Sequence, residues 1–161
     1  MRRLYLTTIL ASILSTGCTR EVILEELWFD ELKHGCTGGG PYGGGPTLTR
    51  ADSLGELDTL LDSHFDPNWY QTELYAYLAS EEMDWAANAL LVGEVFLSNK
   101  ADSDLQLIRF VRVESGLRAD YAYTADSEGD YQVDITEHAY SFALIDASID
   151  EPIELGWTEA P

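Results

Sequence analysis

Two hydrophobic periods divide the chain. Leu54, Leu57, Leu60 and Leu61 share one helical face, and Tyr70, Leu74, Tyr77 and Leu78 recur at helical spacing again. From Ala89 onward the apolar positions alternate instead, the period of a strand. Ser53-Leu54-Gly55-Glu56 has the form of a capping box, so the first helix starts there and ends before Phe65. Asp66 as N-cap with Pro67 behind it opens the second helix. Ser80 to Asn88 reads as a turn region with Trp85 dropping into the core.

The strand region begins with the buried run Ala89 to Leu97, and Asn99 to Asp104 supplies turn chemistry. Leu105, Leu107, Val111 and Val113 then share a face, with Ile108 and Phe110 opposite, which predicts a strand covered on both sides. Leu117, Ala119, Tyr121 and Tyr123 face away from Arg118, Asp120 and Thr124. Asp126 to Asp130 makes the next turn, and Tyr131, Val133 and Ile135 alternate after it. Further strands are expected over Ala139–Ile145 and Ile153–Trp157. Near the start, Trp28 to His34 reads as a strand, although Glu25, Glu26, Asp30 and Glu31 also permit an amphipathic helix. Glycine and proline make residues 35–46 a loop, with Pro46 to Thr49 extended after it. Short turns between strands imply antiparallel neighbours. The expected fold is α+β: an antiparallel meandering sheet or sandwich with two short helices packed at one end.

The N-terminus changes this picture. Met1-Arg2-Arg3, an apolar run from Leu4 to Leu14, and small residues before Cys18 have the order of an export signal. The run is too short to span a bilayer, which takes about 20 residues. Leu14-Ser15-Thr16-Gly17-Cys18 resembles the lipobox of bacterial lipoproteins, with Ser15 standing where leucine is usual. That resemblance implies cleavage before Cys18, diacylglycerol on its thiol and an acyl chain such as palmitate on its amino group. Thr19 rather than Asp after the cysteine points to the outer rather than the inner membrane, under sorting rules known for some bacteria. The expected organisation is a signal peptide over 1–17, a lipidated tether over 18–27 and one α+β domain over 28–161. An ordinary secretory signal with a Cys18–Cys36 disulfide is the alternative.

Removing 17 of 161 residues leaves 144, enough for one domain with a core of its own. Arg2 and Arg3 depart with the signal, so the formal charge moves from −20 to −22. Such a chain repels nucleic acid and anionic lipid, which excludes a nucleic-acid partner and leaves acyl chains to provide membrane attachment. Hydrophobic residues at 45% oppose disorder despite the acidity.

No catalytic pattern emerges. His34, His64 and His138 are scattered, read as ordinary loop or strand-end residues, and lack the spacing of a zinc site. The glycine-rich loop has no Lys-Ser/Thr step for phosphate. Glu81 and Glu82 sit in a solvated turn, and no G-x-S-x-G elbow or Ser-x-x-Lys motif occurs. Cys36 with His34 is the one nucleophile–base pair close in sequence, and its glycine-rich setting argues for an inert thiol. The acidic turns 102–104 and 126–130 look like calcium loops but lack the EF-hand glycine and glutamate. The expectation is a protein without enzymatic activity, cofactor or metal; cation or small-ligand binding at these turns is the alternative.

The layout from Trp28 to Leu155 resembles the PrcB-like domain of bacterial protease-complex subunits. The residues that carry the likeness are His34-Gly35 ending an apolar strand, the glycine-containing loop, and Leu48-Thr49 before a helix with Ser53, Glu56 and Leu57. Asp84-Trp85 leading into Ala89–Leu97, Tyr140–Ala143, and Pro152-Ile153-Glu154-Leu155 complete it. Where that family carries a Gly-rich, Tyr-bearing turn, this chain has Ser98 to Asp104. The resemblance implies a non-catalytic helper of an envelope protein complex.

Overall fold

The computed structural model describes residues 22–38, 46–98, 101–126 and 136–159. The segment expected as a signal peptide, Cys18, most of the glycine-rich loop, and residues 127–135 of the turn and strand expected there lie outside them. The strands are β1 (Ile23–Glu26), β2 (Phe29–Gly38), β3 (Thr47–Ala51), β4 (Asn88–Ser98), β5 (Ala101–Val113), β6 (Gly116–Asp126), β7 (Thr136–Asp146) and β8 (Ile153–Glu159). Between β3 and β4 come α1 (Leu54–His64), a 3-10 helix (Pro67–Gln71) and α2 (Glu73–Leu78). The class is α+β, as expected.

Two four-stranded sheets form, ordered β1-β5-β6-β8 and β2-β7-β4-β3. The alternation along each strand explains how they stack. In β4, Ala89, Leu91 and Val95 enter a core shared with Leu105, Leu107, Leu117, Ala119 and Tyr121 of the other sheet. Leu90 and Val92, on the opposite face, join Tyr140, Phe142 and Leu144 in a second core beneath the helices. The molecule therefore has three layers, with helices over the outer face of the second sheet. Among the described residues, no helix covers the outer face of the first sheet.

The capping residues act much as their types predict. Ser53 accepts from the Glu56 amide at 3.3 Å, while Glu56 reaches one residue further back, to the Asp52 amide at 2.7 Å. Leu57, Leu60 and Leu61 are buried, and Phe65 caps the helix and is buried too. The second helical stretch departs from expectation. Asp66 accepts from the Asn68 amide to start a 3-10 turn, and Thr72 breaks the helix with an extended backbone (ψ 152°). The Thr72 hydroxyl then caps Tyr75, so one expected helix becomes two short pieces.

Four other expectations are corrected. Residues 23–26 are a strand on the edge of the first sheet rather than tether. The segment 35–38 belongs to β2, not to the loop, because it pairs with Glu137 to Tyr140 of β7. Asp102 and Asp104 lie within β5 rather than in a turn. A register irregularity between Leu107 and Arg109 shifts the alternation in β5. Phe110 thus joins Leu105 and Leu107 in the inter-sheet core instead of opposing them, whereas Val111 and Val113 are buried outside it.

β8 also pairs parallel with β6, with Leu117 opposite Ile153. The chain leaves the first sheet after β6, runs through β7 in the second, and returns, so the two flanking strands point the same way. The return is held by Arg50 of β3, which donates to the carbonyls of Ala147 and Ile149 between β7 and β8.

Candidate functional site

His64 and His138, 74 positions apart in sequence, meet at one carboxylate. Helical spacing from Leu57 and Leu60 aims His64, in the last turn of α1, at the outer face of the second sheet. There Glu94 lies across from Tyr140, and Phe96 across from His138. Glu94 Oε2 lies 3.0 Å from His138 Nε2 and 3.0 Å from His64 Nδ1. The Glu94 side chain is fully buried, His138 nearly so, and His64 half-buried.

Aromatic rings close the site. Phe96 stacks on His138 at 4.3 Å, and Phe65 packs on its other side at 4.6 Å. Trp69 and Tyr140 extend the cluster at 4.9 Å from each other, and the Lys33 ammonium sits 4.9 Å above Trp69. A carboxylate removed from water needs donors, and both imidazoles supply one. The contacts use Nδ1 of His64 and Nε2 of His138. The arrangement ties the end of α1 to β4 and β7 through charge-assisted bonds. Among the described residues, no group of three or more His, Cys, Asp and Glu is placed to hold a metal ion.

A second polar cluster joins the two sheets. One oxygen of Glu31 of β2, Oε1, accepts from the Leu107 amide of β5 and the Ser141 hydroxyl of β7, both at 2.9 Å, while Gln106 donates to Oε2 at 3.3 Å. The same Oε2 lies 3.1 Å from His34 Nδ1, and His34 Nε2 is 3.5 Å from Asp104. The carboxylate thus satisfies a β5 amide beside the register irregularity. Tyr121 points its hydroxyl toward this cluster. Burial, and secondarily the Glu31 charge, push that hydroxyl's pKa far up, and it has no hydrogen-bond partner among the described residues. The Tyr140 hydroxyl's pKa is pushed up by burial first, then by Cys36 and Asp104.

On the outer face of the first sheet, Asp120 is held by Arg109 at 2.5 Å and Arg118 at 2.6 Å. Gly156 lies opposite it in register, and a side chain there would run into the Asp120 carboxylate.

The sequence-level candidates are therefore redistributed. His34 and Cys36 share β2, but His34 engages Glu31 and Asp104. Of the two acidic segments, 102–104 lies at the start of β5, where Ala101 pairs with Asp126 at the end of β6, and 127–130 lies outside the described residues. The sequence does not mark Glu94 and Glu31 as site residues, because an acid on an alternating strand reads as solvent-facing when the facing layer is unknown. The clue for Glu94 was its place inside the apolar run Ala89–Leu97.

No helix among the described residues is long and apolar enough to cross a membrane. Comparison of the chain with family models, curated proteins and solved structures found no match.

Proposed function

We propose that the protein is a lipid-anchored component of the bacterial cell envelope whose α+β domain binds a protein partner or stabilises a complex without catalysing a reaction. The observation that carries this reading is Leu14-Ser15-Thr16-Gly17-Cys18 behind a basic start and a short apolar run. The likeness to PrcB-like domains favours the helper role. The outer face of the first sheet, free of helices among the described residues, offers area for a partner.

Two acyl chains and an amide-linked third hold a protein firmly at a bilayer, at about 0.8 kcal/mol per buried methylene. Cys18→Ser is therefore expected to leave an uncleaved precursor or to release the protein into the soluble fraction. Membrane fractionation and mass spectrometry of the mature N-terminus check this; unchanged cleavage and membrane retention in the variant would overturn it. Crosslinking in intact membranes tests the partner, and a strictly monomeric protein counts against it.

Cation binding by the acidic residues of 102–104 and 126–130 is the second reading, favoured by the Ala101–Asp126 pairing, which sets the start of β5 beside the end of β6. A calcium titration followed by melting temperature separates the two, because a ligand selective for the folded state must stabilise it.

A further inference from the structure

Among the described residues, the large apolar side chains left in solvent are concentrated along one sheet edge. Val22, Ile23 and Leu24 lead into and occupy β1, Trp28 sits at the corner after it, and Ile108 lies on neighbouring β5; each is 38% to 54% exposed. They follow one sheet edge, interrupted by the exposed Glu25 and Glu26. Glu26 lies opposite Val111 and the Leu27 amide donates to the Phe110 carbonyl at 2.8 Å, which carries Trp28 alongside the Ile108–Arg109 stretch. β1 is also the edge of its sheet.

The position of this patch along the chain is the second observation. Five residue steps separate Cys18 from Ile23, a reach of at most about 17 Å at roughly 3.4 Å per residue. If Cys18 is rooted in the bilayer by its acyl chains, β1 cannot stand far from the headgroups.

We propose that this surface (β1, Trp28 and Ile108) rests on the bilayer, with Trp28 at headgroup depth, so that the domain is docked rather than swinging on a tether. The inference rests on the lipid-anchor reading. Tryptophan suits that depth because its ring is apolar and its indole N–H can stay hydrated. The edge of β1 stays at the same level, since its backbone groups need water and could not enter hydrocarbon unpaired. The charges nearby select the lipid. Glu25 is paired with Arg112, which also binds Glu151, but Glu26 and Asp30 are exposed with no ion-pair partner among the described residues. An anionic surface would repel them, so the proposal commits to zwitterionic lipid.

The test uses the full mature protein, purified from detergent-solubilised membranes and reconstituted into phosphatidylcholine vesicles containing lipid brominated in the upper acyl chain. The expected result is a loss of tryptophan emission in the wild-type protein that Trp28→Phe abolishes and that Leu24→Asp or Ile108→Asp reduces. Lipidated, vesicle-bound protein with Trp28 unquenched would overturn the docking and leave the anchor standing. Capture of a protein by a photo-crosslinker at Leu24 in native membranes, with Trp28 unquenched in pure lipid, would assign the surface to a strand-pairing partner instead and overturn it too. An unmodified Cys18 in the mature protein's mass spectrum would remove the anchor itself, and the docking with it.

Discussion

Glu94→Ala is expected to cost about 3–5 kcal/mol of folding stability, the usual penalty for removing one partner from a buried charged set. The melting temperature should fall by roughly 10 °C. The loss concentrates on His138, whose side chain is 2% exposed and whose Nε2 would have no acceptor and no water. His64, at 38%, can turn to solvent. Glu94→Gln keeps one acceptor oxygen and should lose less. A double variant, Glu94→Leu with His138→Phe, should recover much of the loss, because well-packed apolar groups often replace a buried polar set without cost. Thermal and urea unfolding followed by circular dichroism give the numbers. A loss for Glu94→Ala below about 1 kcal/mol, the net value of an ordinary hydrogen bond, would mean that the carboxylate does not hold the helix end to the sheet.

Gly93→Ala is the second large effect, and its sign is the informative part. Replacing glycine within a strand by alanine ordinarily stabilises by about 0.5–1 kcal/mol. Here the new Cβ would lie 2.5 Å from Tyr121 Cε1 and 2.6 Å from Cζ. Tyr121 is fully buried between the sheets, so its ring has nowhere to retreat. Overpacking of this kind costs about 2–3 kcal/mol. Combining Gly93→Ala with Tyr121→Leu should cost less than the sum of the single changes, since the shorter side chain vacates the space. Combining it with Tyr121→Phe should give no such relief, because the ring remains. Gly93→Ala at or above wild-type stability would refute the close contact.

Much of the fold was legible because local rules govern it. Ser53 and Asp66 cap helical turns, and the alternation through Leu117, Ala119, Tyr121 and Tyr123 does line the inter-sheet core. What failed locally failed for a non-local reason. The face assigned to Phe110 depends on a register irregularity that involves the partner strand. β1 reads as tether in the sequence because four exposed residues near a signal-like segment carry no burial pattern; they are a strand only because β5 offers an edge to pair with. The polar clusters were invisible for a similar reason. Glu94, His64 and His138 come from three elements, and no spacing along the chain reports that they converge.

The amino-acid sequence alone determined where helices and most strands begin and the α+β class, and it carries the lipobox-like segment on which the proposed function rests, because caps, periodicity and targeting signals act over a few neighbouring residues. The tertiary structure decided which strands share a sheet, that β8 runs parallel to β6, and that Glu94 and Glu31 are enclosed by donors rather than solvated. Those outcomes depend on which surfaces meet once the two sheets stack, and contact between distant segments is a property of packing rather than of any local stretch.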